Sequence, residues 1–462
     1  MYMKKTVTLL ALIVLLTQCQ TENNKKDKLT LDQLDSEITQ MIQQVSADTL
    51  EKNVYALVDF GTRHTMSETE SDTFGIGAAG RWIKAEMDRY SAESGGRLQV
   101  EFHRFIQEPG GRIPEPVEIV NIVATLPGVD PDDDRVFVVS GHYDSRVSDV
   151  MDAESIAPGA NDDASGTVAV MELARIMSNY EFPATIVFMA VSGEEQGLLG
   201  ARGWAEQALE EGKNIAAMIT NDIIGNHAAE DGRLSNPNQV RIFSEGIPQE
   251  REMSIRTMRY IQTGGENDMP TRQLARTIKE VAESYLPDTD VWMIYRRDRY
   301  LRGGDHIPFL QQGIPAVRFS EPNEEFLHQH QDLRVEDGVQ YGDLPEFVDY
   351  PYIAMVTQVN LAALANLARS PQPPTNVGMN TARLENDTRL RWDVSPSAHI
   401  KGYEVLWRET SSPLWQHKQF VGNVTHHTLE LLSKDNYLFG VRAVSNNGHV
   451  STTVYPFPYR GN

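Results

Sequence analysis

The segment RVFVVSGHYDS, residues 135–145, decides the fold class. Its apolar run at 136–139 has no polar interruption, which is typical of a strand buried on both faces of a parallel sheet. Further apolar strand patterns and helical patterns alternate along the chain: strands at 184–191, 215–219 and 314–319, and helices at 166–177 and 355–367. This alternation predicts an α/β domain, with a mainly parallel sheet flanked by helices, over residues 31–369.

A different pattern begins after residues 370–374, SPQPP, which form a stiff proline-rich linker. Short alternating segments at regular spacing then predict a small all-β sandwich over residues 375–462. The order of Trp392, Tyr403 and Tyr437 resembles that of a fibronectin type III domain, with Tyr437 as the tyrosine corner. This module carries no cluster of reactive residues. We therefore expect a spacer or adhesive role, and a first domain that functions without it.

The N-terminus has the pattern of a signal peptide over residues 1–18. Two lysines precede an apolar run at 6–17, which is too short for a bilayer core that requires about 20 residues. Cys19 closes the segment and a polar tether, 19–30, follows, which resembles a bacterial lipoprotein signal despite Gln18, where a small residue is usual. We expect an exported protein anchored to a membrane by lipid on Cys19, in the periplasm or at the cell surface. Plain secretion is the alternative.

The charge balance limits the class of partner. The chain has 462 residues, with 65 acidic side chains against 42 Lys and Arg, which gives a formal net charge of −23. A surface this acidic repels phosphate backbones, so nucleic acid is not an expected partner. The single cysteine excludes an intrachain disulfide.

Five short polar segments lie at the predicted strand ends or in the loops after them, where open α/β sheets bind ligands. They are GHYDS at 141–145, PGANDDASG at 158–166, GEEQG at 193–197, TND at 220–222 and FLHQHQD at 326–332. Each segment alone is compatible with an ordinary capping, surface or hydrogen-bonding role. Together they bring imidazoles and several carboxylates to one edge of the sheet, and like-charged carboxylates repel one another unless cations neutralise them.

The residue types indicate zinc, because imidazole and carboxylate ligands without a thiolate suit this ion. Two His, two Asp and one Glu are too many for one catalytic zinc with an open position, but they fit two ions that share a carboxylate. Such a site also needs a proton carrier, and Glu194, next to Glu195, is the spare carboxylate for this role. Asp144 follows His142 by two residues and can hold the far nitrogen of its imidazole.

The motifs GHYDS, PGANDDASG, SGEEQGLLG and GGDH, with the final His-x-x-x-Asp, resemble the co-catalytic di-zinc aminopeptidases, the secreted bacterial leucyl aminopeptidases and their relatives. The resemblance extends over about residues 40–368 and implies a zinc exopeptidase fold. It also implies two zinc ions and a set of roles: His142 and Asp222 on one ion, Glu195 and the last histidine on the other, Asp162 bridging both, and Glu194 as general acid and base. A cis peptide bond between Asp162 and Asp163 is a further implication.

Two features of the motifs leave choices open. The spacing within the final motif selects His328 as the last ligand, with His330 as the alternative. Some members of the family have a tyrosine four residues before the Asp-His pair, where it stabilises the oxyanion, but Leu301 occupies that position here. Tyr300, one residue away, and Arg302 are therefore the candidates for a substrate or oxyanion contact.

These observations predict an exported zinc-dependent exopeptidase that hydrolyses N-terminal residues from peptides through a metal-activated bridging water. Its partners would be peptides with a free N-terminus. A carboxypeptidase- or aminoacylase-like hydrolase and a single-zinc glutaminyl cyclase are alternatives on the same scaffold. A non-enzymatic receptor or adhesion module is disfavoured, since every expected ligand and Glu194 are present. The polar stretch 232–270 has no clear pattern, and we expect it to border or cover the substrate cleft.

Overall fold

The computed structural model describes residues 29–249 and 253–460. The predicted signal peptide, the lipidation candidate Cys19 and most of the predicted tether lie outside these ranges. None of the helices within them is both long enough and apolar enough to cross a membrane.

The N-terminal domain contains nine α-helices within the described residues. They are α1 (Ser36–Gln43), α2 (Ala47–Val58), α3 (Gly75–Glu93), α4 (Ser165–Met177), α5 (Leu199–Glu210), α6 (Ile255–Gln262), α7 (Pro270–Tyr285), α8 (His306–Gln311) and α9 (Tyr350–Arg369). Short 3-10 helices span Gly265–Asn267 and Pro345–Phe347, and a π-helical turn spans Ala160–Ala164. Side chains cap several helix starts: Asp35 for α1, Ser46 for α2 and Asp349 for α9 each accept a hydrogen bond from a backbone N–H of the first turn.

The strands of this domain are β1 (Gln99–Gln107), β2 (Val117–Leu126), β3 (Arg135–His142), β4 (Thr185–Val191), β5 (Asn214–Asn221), β6 (Ala228–Ala229), β7 (Leu234–Ser235), β8 (Gln239–Ser244), β9 (Asp290–Ile294), β10 (Ala316–Ser320), β11 (Arg334–Glu336) and β12 (Val339–Tyr341). Eight of them form one sheet in the order β1-β2-β4-β3-β5-β10-β8-β9. Its centre, β4-β3-β5-β10, is parallel. Antiparallel pairs join β1 to β2, β2 to β4 and β8 to β10.

The predicted α/β class is confirmed, with a parallel centre inside a mixed sheet. The sequence patterns do not indicate the antiparallel flank at β1, because this strand lacks a continuous apolar run and breaks the strict alternation at Phe105 and Ile106.

Strand β3 is buried along its whole length and separates two cores. Phe137 and Val139 join the core formed with α4 and α9, whereas Val136 and Val138 join the core formed with α5 and α8. Full burial of each such side chain contributes about 1.5–3 kcal/mol. Because alternate side chains pack on opposite faces, the strand requires an unbroken apolar run. The parallel centre then directs the loops after β3, β4 and β5 to one edge of the sheet.

The C-terminal domain is the predicted β-sandwich. Its strands are β13 (Thr375–Asn380), β14 (Thr388–Asp393), β15 (Ile400–Glu409), β16 (His417–Gly422), β17 (His426–Leu429), β18 (Tyr437–Ser445) and β19 (Phe457–Tyr459). Two sheets, β17-β14-β13-β19 and β16-β15-β18, enclose a core that includes Trp392, Tyr403 and Phe439.

The sandwich packs against α7 and α9 through buried polar groups. Arg442, which is 1% exposed, donates from Nη1 and Nη2 to both carboxylate oxygens of Glu280 on α7, at 2.7 and 2.8 Å. Its Nε donates to Glu404 at 2.7 Å. Asn366 on α9 makes two hydrogen bonds with the backbone of Val450. Removal of the sandwich would expose this face of α7 to solvent and end the pairing of Glu280 with Arg442. The expectation that the first domain functions without the sandwich stays a prediction. A glutamate on an amphipathic helix is usually exposed, so the sequence does not reveal this contact.

Arg442→Ala is expected to lower the free energy of unfolding by about 3–5 kcal/mol, because it leaves Glu280 buried without a partner and Glu404 with Lys418 alone, 3.8 Å away. Arg389→Ala removes a surface ion pair with Glu385 on the same sandwich and serves as the matched control. Thermal unfolding followed by circular dichroism compares the two variants. We expect a large decrease in the midpoint for the first variant and little change for the second. Equal midpoints would contradict a structural role for this interface.

Candidate metal centre

Six side chains from the five polar segments meet at the carboxyl edge of the parallel strands. They are His142 at the end of β3, Asp162 in the loop before α4, Glu194 and Glu195 after β4, Asp222 after β5 and His330 after β10. Their ligand atoms form two groups, His142 with Glu194 and Asp222, and Asp162 with Glu195 and His330. Within each group the atoms lie within 4.8 Å of one another.

The first group is centred on His142, which is 1% exposed. Its Nε2 lies 3.2 Å from Asp162 Oδ1 and 3.9 Å from Asp222 Oδ1, yet it forms no hydrogen bond within the described part of the chain. A buried polar atom without a hydrogen bond costs free energy unless another partner satisfies it. The surrounding carboxylates make a metal ion a suitable partner for this nitrogen.

The second group contains Asp162, whose carboxylate also reaches His142 of the first group. His330 Nε2 lies 2.8 Å from Asp162 Oδ2 and 2.8 Å from Glu195 Oε1. The two oxygens of Asp162 therefore face different histidines, with Oδ1 near His142 and Oδ2 near His330. A carboxylate in this arrangement is able to bridge two metal ions.

The prediction that His328 completes the second group is wrong, because the structure places His330 there. The ring of His328 instead stacks on Phe347, with the centroids 3.8 Å apart and the planes inclined by 6°. The spacing to Asp332 predicts the wrong histidine, because the Asp332 carboxylate accepts hydrogen bonds from the amide and the hydroxyl of Ser148. The position of Asp332 therefore does not indicate which imidazole faces the centre.

Asp144 positions both the first histidine and the turn after β4. Its backbone oxygen lies 3.1 Å from His142 Nδ1, and its carboxylate Oδ1 lies 3.5 Å from the same nitrogen. Its carboxylate also accepts hydrogen bonds from the backbone N–H groups of Glu194 and Glu195, at 3.3 and 3.1 Å. The expected contact with the imidazole is therefore made chiefly through the backbone, and the carboxylate holds the two glutamates in register.

Asp163 holds the loop that presents Asp162. It is fully buried, and its carboxylate accepts hydrogen bonds from the backbone N–H groups of His142, Gly166 and Ile223. The peptide bond between Asp162 and Asp163 is cis, as the family resemblance implies.

Burial and neighbouring charges shift the pKa values in the centre. Burial raises the pKa of Glu194 well above its usual value, and Asp222 raises it further against the opposing charge of His142. Burial alone would raise the pKa of Asp162, but the imidazoles of His330 and His142 hold it well below its usual range. Burial lowers the pKa of His330, but the carboxylates facing it outweigh that effect and raise it to about 9. The centre thus favours positive charge between its carboxylates.

Two arginines, the buried Arg318 and the partly buried Arg146, support the ligands, and the sequence patterns do not predict this role. Arg318 Nη2 lies 2.8 Å from Asp222 Oδ1. Arg146 Nε lies 2.8 Å from Glu195 Oε2, and its Nη2 lies 2.6 Å from His330 Nδ1. The sequence contains a signal for the role of Arg318, because it is the one charged residue in the apolar strand pattern at 314–319. Arg146 lies in a loop, and the sequence contains no comparable signal for its role.

Asp305 of the GGDH motif is a further buried carboxyl group that the prediction did not use. It is 1% exposed, and neither of its oxygens forms a hydrogen bond within the described residues. Burial, together with the charges of Asp144 and Asp222, raises its pKa to about 7. The Asp305 carboxyl group therefore further favours the binding of positive charge at the centre.

A cleft of about 570 Å³ opens onto both groups. Besides the ligands it is lined by residues 111–112, 196–198 and 301–303, together with Arg146 and Arg299. Of the two candidates for a substrate contact, Arg302 lies in this lining. Tyr300 is 75% exposed and packs with Arg296 instead.

The polar stretch 232–270 does not border this cleft in its described residues. It contributes β8 to the sheet and α6 to the contact with the sandwich, where Tyr260 packs edge-on against Tyr455 and Phe457. The expectation that this stretch borders the cleft is therefore wrong for its described part.

Comparison with known proteins connects this geometry to a family. The family model of peptidase family M28 matches residues 121–336, and that of the fibronectin type III domain matches residues 372–456. A probable zinc metalloprotease of Leptosphaeria maculans is 50% identical over 424 residues, which cover 92% of this chain and 97% of the relative. A probable zinc metalloprotease of Pyricularia oryzae is 48% identical over 429 residues, covering 92% of this chain and 85% of that protein.

Solved structures share the fold of the chain. The LapA aminopeptidase of Legionella pneumophila superimposes with a TM-score of 0.50 at 19% identity, covering 72% of this chain and 74% of that one. LapB from the same organism gives a TM-score of 0.51 at 16% identity, covering 76% and 81%. At these identities the likeness concerns the fold alone.

His330→Ala is expected to reduce the amount of zinc that the purified protein retains, because it removes the imidazole that faces Asp162 and Glu195. His328→Ala is the matched control, since this ring stacks on Phe347. Zinc content after dialysis, measured by mass spectrometry, distinguishes the two. Zinc loss in the His328 variant and full retention in the His330 variant would reverse the assignment.

Proposed function

The chain belongs to peptidase family M28, and on that basis we propose that it is a zinc-dependent exopeptidase that removes N-terminal residues from peptides. The observation that carries the proposal of two zinc ions is the position of Asp162. Its two carboxylate oxygens lie 3.2 Å from His142 Nε2 and 2.8 Å from His330 Nε2. A carboxylate shared between two groups of ligands is the arrangement that a two-ion hydrolytic site requires.

The residues present fit two zinc ions. His142, Asp222 and Asp162 would hold one ion, and Glu195, His330 and Asp162 would hold the other. Each set combines one imidazole with carboxylates, which are common ligands of catalytic zinc. When bound, the ions would polarise the scissile carbonyl and lower the pKa of the attacking water. The presence of two donor groups supports two ions over the single zinc of the glutaminyl cyclase alternative.

Glu194 carries the proton in this proposal. Its carboxylate lies in the group of His142 and Asp222 and lines the cleft. This position beside the ligands places the carboxylate where it can accept a proton from the attacking water. Glu194 takes the proton from the attacking water and delivers it to the nitrogen of the leaving amine. Asp144 holds the backbone amide of Glu194 and thereby keeps the carboxylate beside the ligands.

Glu194→Gln is expected to lower kcat by about 10²–10⁴-fold while both zinc ions stay bound, because the amide cannot accept the proton. Asp162→Ala is expected to lose zinc as well as activity, because it removes the carboxylate that faces both histidines. Hydrolysis of a panel of aminoacyl-arylamides, together with zinc content, measures both effects. Near-normal turnover of the Glu194 variant would contradict its role. Cleavage of N-blocked peptides without cleavage of any arylamide would contradict the exopeptidase proposal.

The location of the protein is a separate proposal that rests on the sequence of residues 1–19. We propose that the chain is exported through the signal peptide and attached to a membrane by lipid on Cys19. The apolar run that ends beside a cysteine supports it. The fungal relatives add no support.

Cys19→Ser is expected to move the protein from the membrane fraction to the soluble exported fraction of a bacterial host, because the hydroxyl does not receive the lipid. Cell fractionation followed by immunoblotting measures the distribution. Equal membrane retention of the wild-type protein and the variant would rule out lipid attachment at this residue.

A further inference from the structure

The cleft is rich in arginine although the chain is acidic. Its lining includes Arg112, Arg146, Arg299 and Arg302, in a chain whose formal net charge is −23. Among the described lining residues, the only carboxylates are the four that belong to the metal centre: Asp162, Glu194, Glu195 and Asp222. A cationic substrate group therefore finds no carboxylate in this lining outside the metal centre, whereas an anionic group finds several guanidinium groups.

Two of the lining arginines, Arg299 and Arg302, belong to a cluster with a surplus of positive charge around Glu324. Three guanidinium groups contact this carboxylate, from Arg241 at 2.8 Å, Arg299 at 3.0 Å and Arg302 at 3.2 Å. Asp298 gives Arg299 a second partner at 3.3 Å. Arg302 remains the most accessible of the three, with 36% of its side chain exposed against 9% for Arg299. Its Nε and Nη2 donate no hydrogen bond to the described residues.

Arg112 continues this lining toward the second metal group. Its Nη1 donates to the backbone oxygen of Glu195 at 2.6 Å, and its other side-chain N–H groups donate no hydrogen bond within the described part of the chain. Arg146 differs, because its guanidinium already contacts Glu195 and His330. Arg112 and Arg302 are thus the lining arginines with donors left for a ligand.

We infer that the cleft binds peptides that carry a carboxylate close to the scissile bond, and that Arg112 and Arg302 recognise this group. The inference rests on the proposed two-zinc function, since two divalent ions would neutralise the four carboxylates of the centre and leave the arginine surplus. Arginine binds a carboxylate with parallel N–H groups, and such charge-assisted pairs are stronger than neutral hydrogen bonds. The carboxylate is supplied either by an acidic side chain or by the C-terminus of a short peptide.

Matched substrates test this inference and separate the two sources, using the zinc-loaded full chain. One arm compares kcat/KM for glutamyl-, glutaminyl- and lysyl-arylamides. The other arm compares leucyl-leucine with leucyl-leucine amide. We expect the carboxylate form to be preferred by about tenfold or more in at least one arm, as a charge-assisted hydrogen bond predicts. Ratios within about twofold in both arms would overturn the inference.

Substitutions of the two arginines test whether these residues recognise the substrate carboxylate. Arg112→Gln and Arg302→Gln are each expected to reduce the preferred ratio by about tenfold. Arg89→Gln is the matched control, since this arginine pairs with Glu86 and Glu93 on the surface of α3 and is expected to leave the ratio unchanged. A ratio that survives both cleft substitutions would contradict the assignment to these residues.

A binding measurement separates failure of this inference from failure of the proposed function. Calorimetric titration of the Glu194→Gln protein with glutamyl-leucine and glutaminyl-leucine measures affinity without turnover. Tighter binding of the glutamyl peptide, with no peptide hydrolysis by the wild-type protein, would contradict the exopeptidase proposal and keep the anion site. Hydrolysis by the wild-type protein, with no discrimination by charge among the arylamides, between the two titrated peptides, or between leucyl-leucine and its amide, would contradict the anion site alone.

Discussion

The carboxylates that the central strands bring together must be neutralised, and the rest of the structure depends on how this is done. Asp162, Asp163 and Asp222 are between 0% and 6% exposed. Buried carboxylates at one edge of a sheet repel one another and become protonated unless positive charge or hydrogen bonds compensate them. Asp163 accepts three backbone N–H groups, and Asp222 pairs with Arg318. Asp162 alone has a different imidazole near each oxygen, so it joins the two groups of ligands.

The scaffold supports this edge from the centre of the sheet and from its β9 end. Strand β3 divides the two cores and ends at His142, which fixes one side of the centre. On the other side, α7 packs on β8, β9 and β10, and the sandwich binds α7 through the buried pair of Arg442 and Glu280. Strand β10 carries Arg318 and leads into the loop of His330. The C-terminal domain therefore stabilises the half of the sheet that holds the second histidine, Arg299 and Arg302.

Much of the centre could be predicted from the sequence, because the backbone of a buried parallel strand determines where the next residues lie. His142 and Asp222 come directly at strand ends, and short motifs after predicted strands placed Asp162 and Glu195 beside them. His330 lies in a long loop beyond the end of β10, and the path of that loop depends on tertiary contacts rather than on local pattern. The same reason applies to the sandwich interface and the arginine-lined cleft. Their charged residues look like ordinary surface residues until the packing of distant segments is known.

The two-ion centre is tested most directly by crystals of the zinc-loaded protein measured at the zinc absorption edge. Two anomalous peaks are expected about 3.5–4 Å apart, with the Asp162 carboxylate between them. One peak should lie beside His142 and Asp222, and the other beside His330 and Glu195. A single peak at full zinc loading, or a second peak away from Asp162, would contradict the bridging role of this residue and the two-zinc mechanism that depends on it.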